Sequence, residues 1–169
     1  MIRSSALVFV VAIAPLQAQE NLLSSEAQQA WARTKGKTVA AAEEMPEEHY
    51  GFKPSPESQS FGDLVAHTAA AAMRTCASAT GGKGAAPVEG GASKAVLVAA
   101  LASAVAECDK ANLAMTDANA TDMIEGRRRA RSRLGTLYGN TVHIEHEYAQ
   151  MAVHMRLNGL VPPSTARRR

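Results

Sequence analysis

The feature that most limits the fold is a stripe in which Phe61, Leu64, Val65, Thr68, Ala69, Ala72, Met73 and Cys76 recur three or four residues apart. Residues at that spacing share one side of an α-helix. Three further segments read the same way. One runs from Leu22 to Glu44, with Ser24 or Ser25 as candidate N-caps and Pro46 making Met45 a natural stop. A second follows the N-cap candidate Ser93, with Leu97, Leu101, Ala104, Val105 and Cys108 as its stripe. The last spans Leu134 to Leu157 and ends at Asn158-Gly159, with Pro162 and Pro163 blocking continuation. Each segment buries only one side, so the helices must cover one another. Abundant alanine and an aromatic content of 4% favour helices over a sheet. The expected fold class is all-α, a four-helix bundle. Of the connections, "PEEHYGFKPSPESQS" reads as an ordered loop and "TGGKGAAPVEGGAS" as a flexible glycine-rich connector. "TDANATDMIEGRRRARSR" reads as irregular, with a short helical turn around Asp122 to Glu125. These loops are long enough to allow a crossover.

The first eighteen residues, "MIRSSALVFVVAIAPLQA", have the layout of a secretory signal peptide: Arg3, an apolar run from Ala6 to Ala14, and a small residue, Ala18, at the cut site. The expected organisation is a signal peptide over 1–18, a bundle over 19–165 and a basic tail over 166–169. The mature chain is expected to be exported, periplasmic or secreted, with no stable membrane insertion after cleavage. Cleavage takes the formal charge from +2 to about +1, leaving no global attraction to nucleic acid or anionic membrane. The basic runs "RRRARSR" and "ARRR" lack interleaved aromatics or a nucleic-acid-binding motif and read as a solvated loop and a frayed tail. Cys76 and Cys108 both fall on apolar stripes. They form either a disulfide, favoured by an oxidising compartment, or two buried thiols. Neither has a CxxC partner, which argues against a zinc site built on them.

Three of the five histidines lie in "NTVHIEHEYAQMAVHMRLNG". His143 and Glu147, at i and i+4, share a helix face and can share a metal; His143 and His146, at i and i+3, can as well. His154 lies three turns further, about 16 Å along the axis, too far to join His143. A third ligand must come from another helix, and His67 is the only histidine inside one; His49 could approach from a loop. Against this stands a plainer reading. On a helical wheel Leu134, Leu137, Tyr138, Tyr148, Ala152 and Met155 define the apolar face, with His143, Glu147, Gln150 and His154 nearly opposite. Such residues are normally solvated.

The spans "AAEEMPEEHYGFKPSPESQSFGDLVAHTAAA" and "HIEHEYAQMAVHMRLNGLVPPST" resemble the DinB-like (DinB/YfiT-like) family of metal-binding four-helix proteins. The resemblance covers most of the mature chain and is weakest through the third helix. It implies His67 as the first metal ligand and His143 as the second. The family's third ligand, a histidine four residues later, falls on Glu147. Where relatives read Glu-His before the tyrosine, this chain reads His146-Glu147, so His146 is an alternate or outer-sphere candidate, as is His49. A second departure is Ala149, where the family usually has glycine.

The resemblance further implies a mononuclear divalent metal, zinc or nickel first and iron as an alternative, in a cleft between helices. It implies metal-dependent hydrolase or thiol-transferase chemistry on a small-molecule substrate. The rival expectation is a non-catalytic bundle that binds a small molecule or a partner and has a degenerate metal site. A homodimer packed through the polar helix faces is a third.

Overall fold

A computed structural model describes residues 21–126 and 129–166. The expected signal peptide (1–18) and the arginines of the basic tail lie outside the described residues. The chain forms α1 (Leu22–Glu44), α2 (Phe61–Thr80), α3 (Lys94–Leu113), α4 (Arg133–Leu157) and a single turn, α5 (Pro163–Ala166). A 3₁₀ turn, Glu47–His49, interrupts the first connection. Among the described residues no helix is long and apolar enough to cross a membrane.

The helices pack as a ring in which α1 and α2 each contact both α3 and α4. Their directions follow from what meets at each level. The Ser24 amide and hydroxyl donate to Asp117 just past the end of α3, while Lys94 at the start of α3 donates to the Met45 carbonyl after α1, so α1 and α3 are antiparallel. Gln59 faces His154 and Arg133 donates to the Ala79 carbonyl, which makes α2 and α4 antiparallel. Thr34 meets Glu145 and, one turn on, Lys37 lies 4.8 Å from the Tyr148 ring centroid, so α1 and α4 run parallel. The topology is therefore up-down-down-up, and α2 and α3 are parallel neighbours.

Two parallel helices in succession require a connection that travels back the full helix length. Residues 81–93 do this by lying along α2. Val88 and Ala92 pack on the core, and the backbone at Gly90 comes so close that a Cβ there would stand 2.1 Å from Asp63 Oδ1. The glycine-rich connector is thus a crossover strap packed on the bundle at Val88, Gly90 and Ala92, with residues 81–87 exposed. Gly90 is the glycine this close approach requires.

A disulfide joins Cys76 to Cys108 with their Cα atoms 4.9 Å apart, tying α2 to α3 inside the core. That decides between the two cysteine readings. Around it Phe61, Leu64, Val65, Leu97, Leu101, Leu137, Met151 and Met155 are fully enclosed. Alanines at 69, 72, 104 and 111 let the helix backbones approach closely.

Three local expectations are corrected. α1 is capped by neither Ser24 nor Ser25. Asn21 is the N-cap, in a left-handed conformation, and the Asp117 carboxylate accepts from the Leu23 and Ser24 amides at 3.1 and 2.8 Å. The cap is thus supplied from 93 residues away in sequence. The turn expected around Asp122 to Glu125 is instead β1 (Met123–Ile124), paired antiparallel with β2 (Arg131–Ser132). Tyr138, expected on the inward face of α4, is 52% exposed because the adjacent Leu137 occupies the inward position.

Candidate metal centre

The start of α2 is fixed by a reciprocal cap. Ser60 Oγ accepts from the Asp63 amide at 3.1 Å, and Asp63 Oδ2 accepts from the Ser60 amide at 3.0 Å. The Ser60 hydroxyl, donating to the same carboxylate, holds the Asp63 pKa below its usual value. His67 sits one turn beyond Asp63 on this anchored segment. Because α4 runs antiparallel alongside, His143 and Glu147 arrive opposite it. Glu147 Oε1 lies 3.8 Å from His67 Nε2 and 3.8 Å from His143 Nδ1. The two rings stand edge to face with centroids 5.2 Å apart. One donor atom from each of the three residues falls within 4.8 Å of the other two.

The chemistry of this donor set fits a divalent ion. Glu147 is 4% exposed, and a buried carboxylate demands compensating positive charge. Its neighbours on the donor side are imidazoles. On the other side Gln150 Nε2 donates to Oε2 at 3.0 Å, which holds the carboxylate in place and leaves Oε1 towards the histidines. Burial holds the His143 pKa below its ordinary value, opposed by Glu147 and reinforced by His67, His146 and Arg74. The lowered pKa favours the neutral imidazole, the form that ligates metal. Separations of 3.8 Å are slightly wider than the roughly 3.4 Å expected between ligands in a tetrahedral site with bonds of about 2.1 Å.

The remaining candidates separate cleanly. His146 is exposed and outside the three-residue cluster, although next in sequence to Glu147. His49 ends the 3₁₀ turn and also lies outside the cluster. The wheel's prediction of a solvated polar face on α4 is corrected at two positions, Glu147 and His154, both of which are buried. His154 Nδ1 lies 2.9 Å from the Gln150 carbonyl and Nε2 lies 3.1 Å from the Gln59 carbonyl, with Phe52 and Phe61 edge-on to its ring. It ties the first connection to α4 and takes no part in the cluster.

His67 and His143 open onto a cleft of about 1160 Å³ between α2, α4 and the β1–β2 ribbon. Sequence reasoning missed three of its wall residues, Arg74, Arg129 and Arg131, and also Asn140. Two of those arginines belong to the run read as a solvated loop. They are exposed, yet the ribbon brings them to the cleft. The one available signal was the spacing of Gly135, Gly139, His143 and Glu147, four residues apart along a single stripe of α4.

A family model described as the DinB superfamily matches residues 30–151, a span that includes all three cluster residues and both cysteines. The chain belongs to the DinB superfamily. Among solved structures, the crystal structure of a DinB-like protein from Bacillus cereus ATCC 10987 has the same fold, with a TM-score of 0.66 and 20% sequence identity. That match covers 82% of this chain and 95% of the other. No curated protein matches in sequence. DinB-superfamily membership and the helical bundle are thus established together, and the packed crossover strap is how this member connects its parallel helices.

Proposed function

We propose that this DinB-superfamily chain is an exported metal-binding protein in which His67, His143 and Glu147 hold one divalent ion, zinc or nickel first and iron as the alternative. The site serves hydrolase or thiol-transfer chemistry in the cleft between α2 and α4. One observation carries the reading: a buried carboxylate with one oxygen 3.8 Å from each of two imidazoles on separate helices. When bound, such an ion supplies Lewis acidity and lowers the pKa of a water or thiol.

The protein's own groups divide the work. Glu147, oriented by Gln150, supplies negative charge from the buried side. His143 supplies a neutral imidazole. His67, half exposed on the cleft wall, supplies the other imidazole and leaves that side open to a small molecule. The Cys76–Cys108 disulfide supports export, because such bonds persist in oxidising compartments.

Elemental analysis of the untagged mature protein tests this reading, alongside His67→Ala, Glu147→Ala and His146→Ala. Near-stoichiometric metal in the wild type and in His146→Ala, lost in the other two, is the expected result. Retention in Glu147→Ala with loss in His146→Ala would reassign the third ligand. A metal-free wild type would favour the non-catalytic bundle.

A further inference from the structure

The cleft beside the metal cluster carries a second set of features that the metal does not use. Its wall includes three guanidinium groups, Arg74 from α2 and Arg129 and Arg131 from the ribbon, against one acid, Glu125. Among the described residues none of the three arginines forms an ion pair. None of their side chains appears in a hydrogen bond there either. Arg133, by contrast, is engaged by Asp122 and the Ala79 carbonyl. Unpaired arginines gathered on one concave wall create a focused positive potential in a chain that is close to neutral overall.

The placement of Arg131 is built into α4. Its guanidinium lies over Gly139, where a Cβ would stand 3.0 Å from Nη1 and 3.2 Å from Nη2, and its edge reaches Gly135. Gly135 and Gly139 occupy the same stripe as His143 and Glu147, so the arginine rests on a smooth part of the helix directly in line with the cluster. On α2 the matching stripe reads His67, Ala71, Arg74, Ser78, and all four line the cleft. Small residues at 71 and 139 leave the space between the two stripes open.

Asn140 lies at the base of the cleft, against the disulfide. It is 5% exposed and lines the cleft, its Nδ2 faces both disulfide sulfurs at 3.6 Å, and its Oδ1 is buried without a hydrogen-bond partner.

We infer that the cleft binds a small molecule through an oxyanion, a carboxylate or a phosphate, held by Arg131 and Arg74. The planar guanidinium fork matches either anion with two parallel hydrogen bonds. Bound in this way, the anionic end occupies the arginine side of the cleft and the rest of the molecule extends towards His67 and His143. The inference deepens the metal-centre reading by naming a substrate class, and it is testable without a metal.

The experiment is calorimetric titration of inorganic phosphate and, separately, succinate into metal-free protein dialysed clear of chelator at low ionic strength. Wild type should bind at least one of them saturably at one site per chain. Arg131→Gln and Arg74→Gln should each weaken that binding at least tenfold. Lys83→Gln, which removes one positive charge from the exposed crossover strap, should leave it unchanged. Tighter phosphate binding would assign phosphoesters, and tighter succinate binding would assign organic carboxylates. Equal affinity across wild type and all three variants would overturn the proposal, as would the absence of saturable binding to both anions. His67→Ala is expected to lose metal yet keep the anion site, so failure of the metal reading and failure of this one are separately visible.

Discussion

Two histidines on α4, His143 near its middle and His154 near its end, show how differently the same side chain behaves along one helix. His143 stands at a cleft, partly exposed, with Glu147 and His67 as its neighbours. His154 is 4% exposed, with a backbone carbonyl at each ring nitrogen and two phenylalanines against its ring. The difference comes from what covers each site. The first connection folds over the end of α4 and closes His154 in, whereas the small residues of α2 and α4 leave the space beside His143 open. The first histidine is available to a ligand. The second fastens a loop.

That contrast can be broken at either end. The largest effect is expected from His67→Ala, which should reduce metal affinity by more than the roughly 10- to 100-fold typical of an outer-sphere change, while thermal unfolding of the metal-free protein stays close to wild type. Metal content and calorimetric melting read the two quantities separately. Removing the disulfide by Cys76→Ala with Cys108→Ala should cost about 3–4 kcal/mol, from the chain entropy of a loop closed over 32 residues, and denaturant titration measures it.

His154→Ala should cost about 2–3 kcal/mol, since it removes a buried ring and its hydrogen bond to a backbone carbonyl, yet leave metal stoichiometry intact. Metal loss in that variant would show that the two positions on α4 are coupled and sink the contrast. The smallest effect belongs to the cap that positions His67: Ser60→Ala should cost about 1 kcal/mol. The Asp63 half of that cap has a definite pH sign. Its folded pKa lies below the ordinary 3.8, so its contribution is complete above that value and is lost as pH falls through the folded pKa. The stability difference between wild type and Asp63→Asn should therefore shrink below about pH 3.8. Because Asp63 is only partly buried, the difference should be small even at neutral pH.

Much of the bundle was legible because helix periodicity and stop signals are local. Leu22–Glu44 agrees with the expected first helix end to end, and the α2 stripe from Phe61 to Cys76 is buried except at the half-buried Met73. The β1–β2 ribbon was not legible, since two-residue strands carry no periodicity. The α1 cap was hidden because Asp117 acts from another part of the chain. The wheel misplaced Glu147 and His154 because it assigns one apolar face to a helix, whereas α4 is covered by both α1 and α2 and by the connection across its end. A helix with several partners buries more than one stripe, polar residues included.

The sequence by itself determined the all-helical class and most of the helix limits, and its family resemblance pointed to His67, His143 and Glu147 as candidate metal ligands. The class and the helix limits depend on residue types at fixed short spacings. Tertiary structure alone decided that the two cysteines pair and that Glu147 rather than His146 faces His67. It also decided that an arginine run in a loop becomes a cleft wall. Each of those outcomes depends on which helices run antiparallel and which small residues leave space between them, and neither is encoded within one turn of chain.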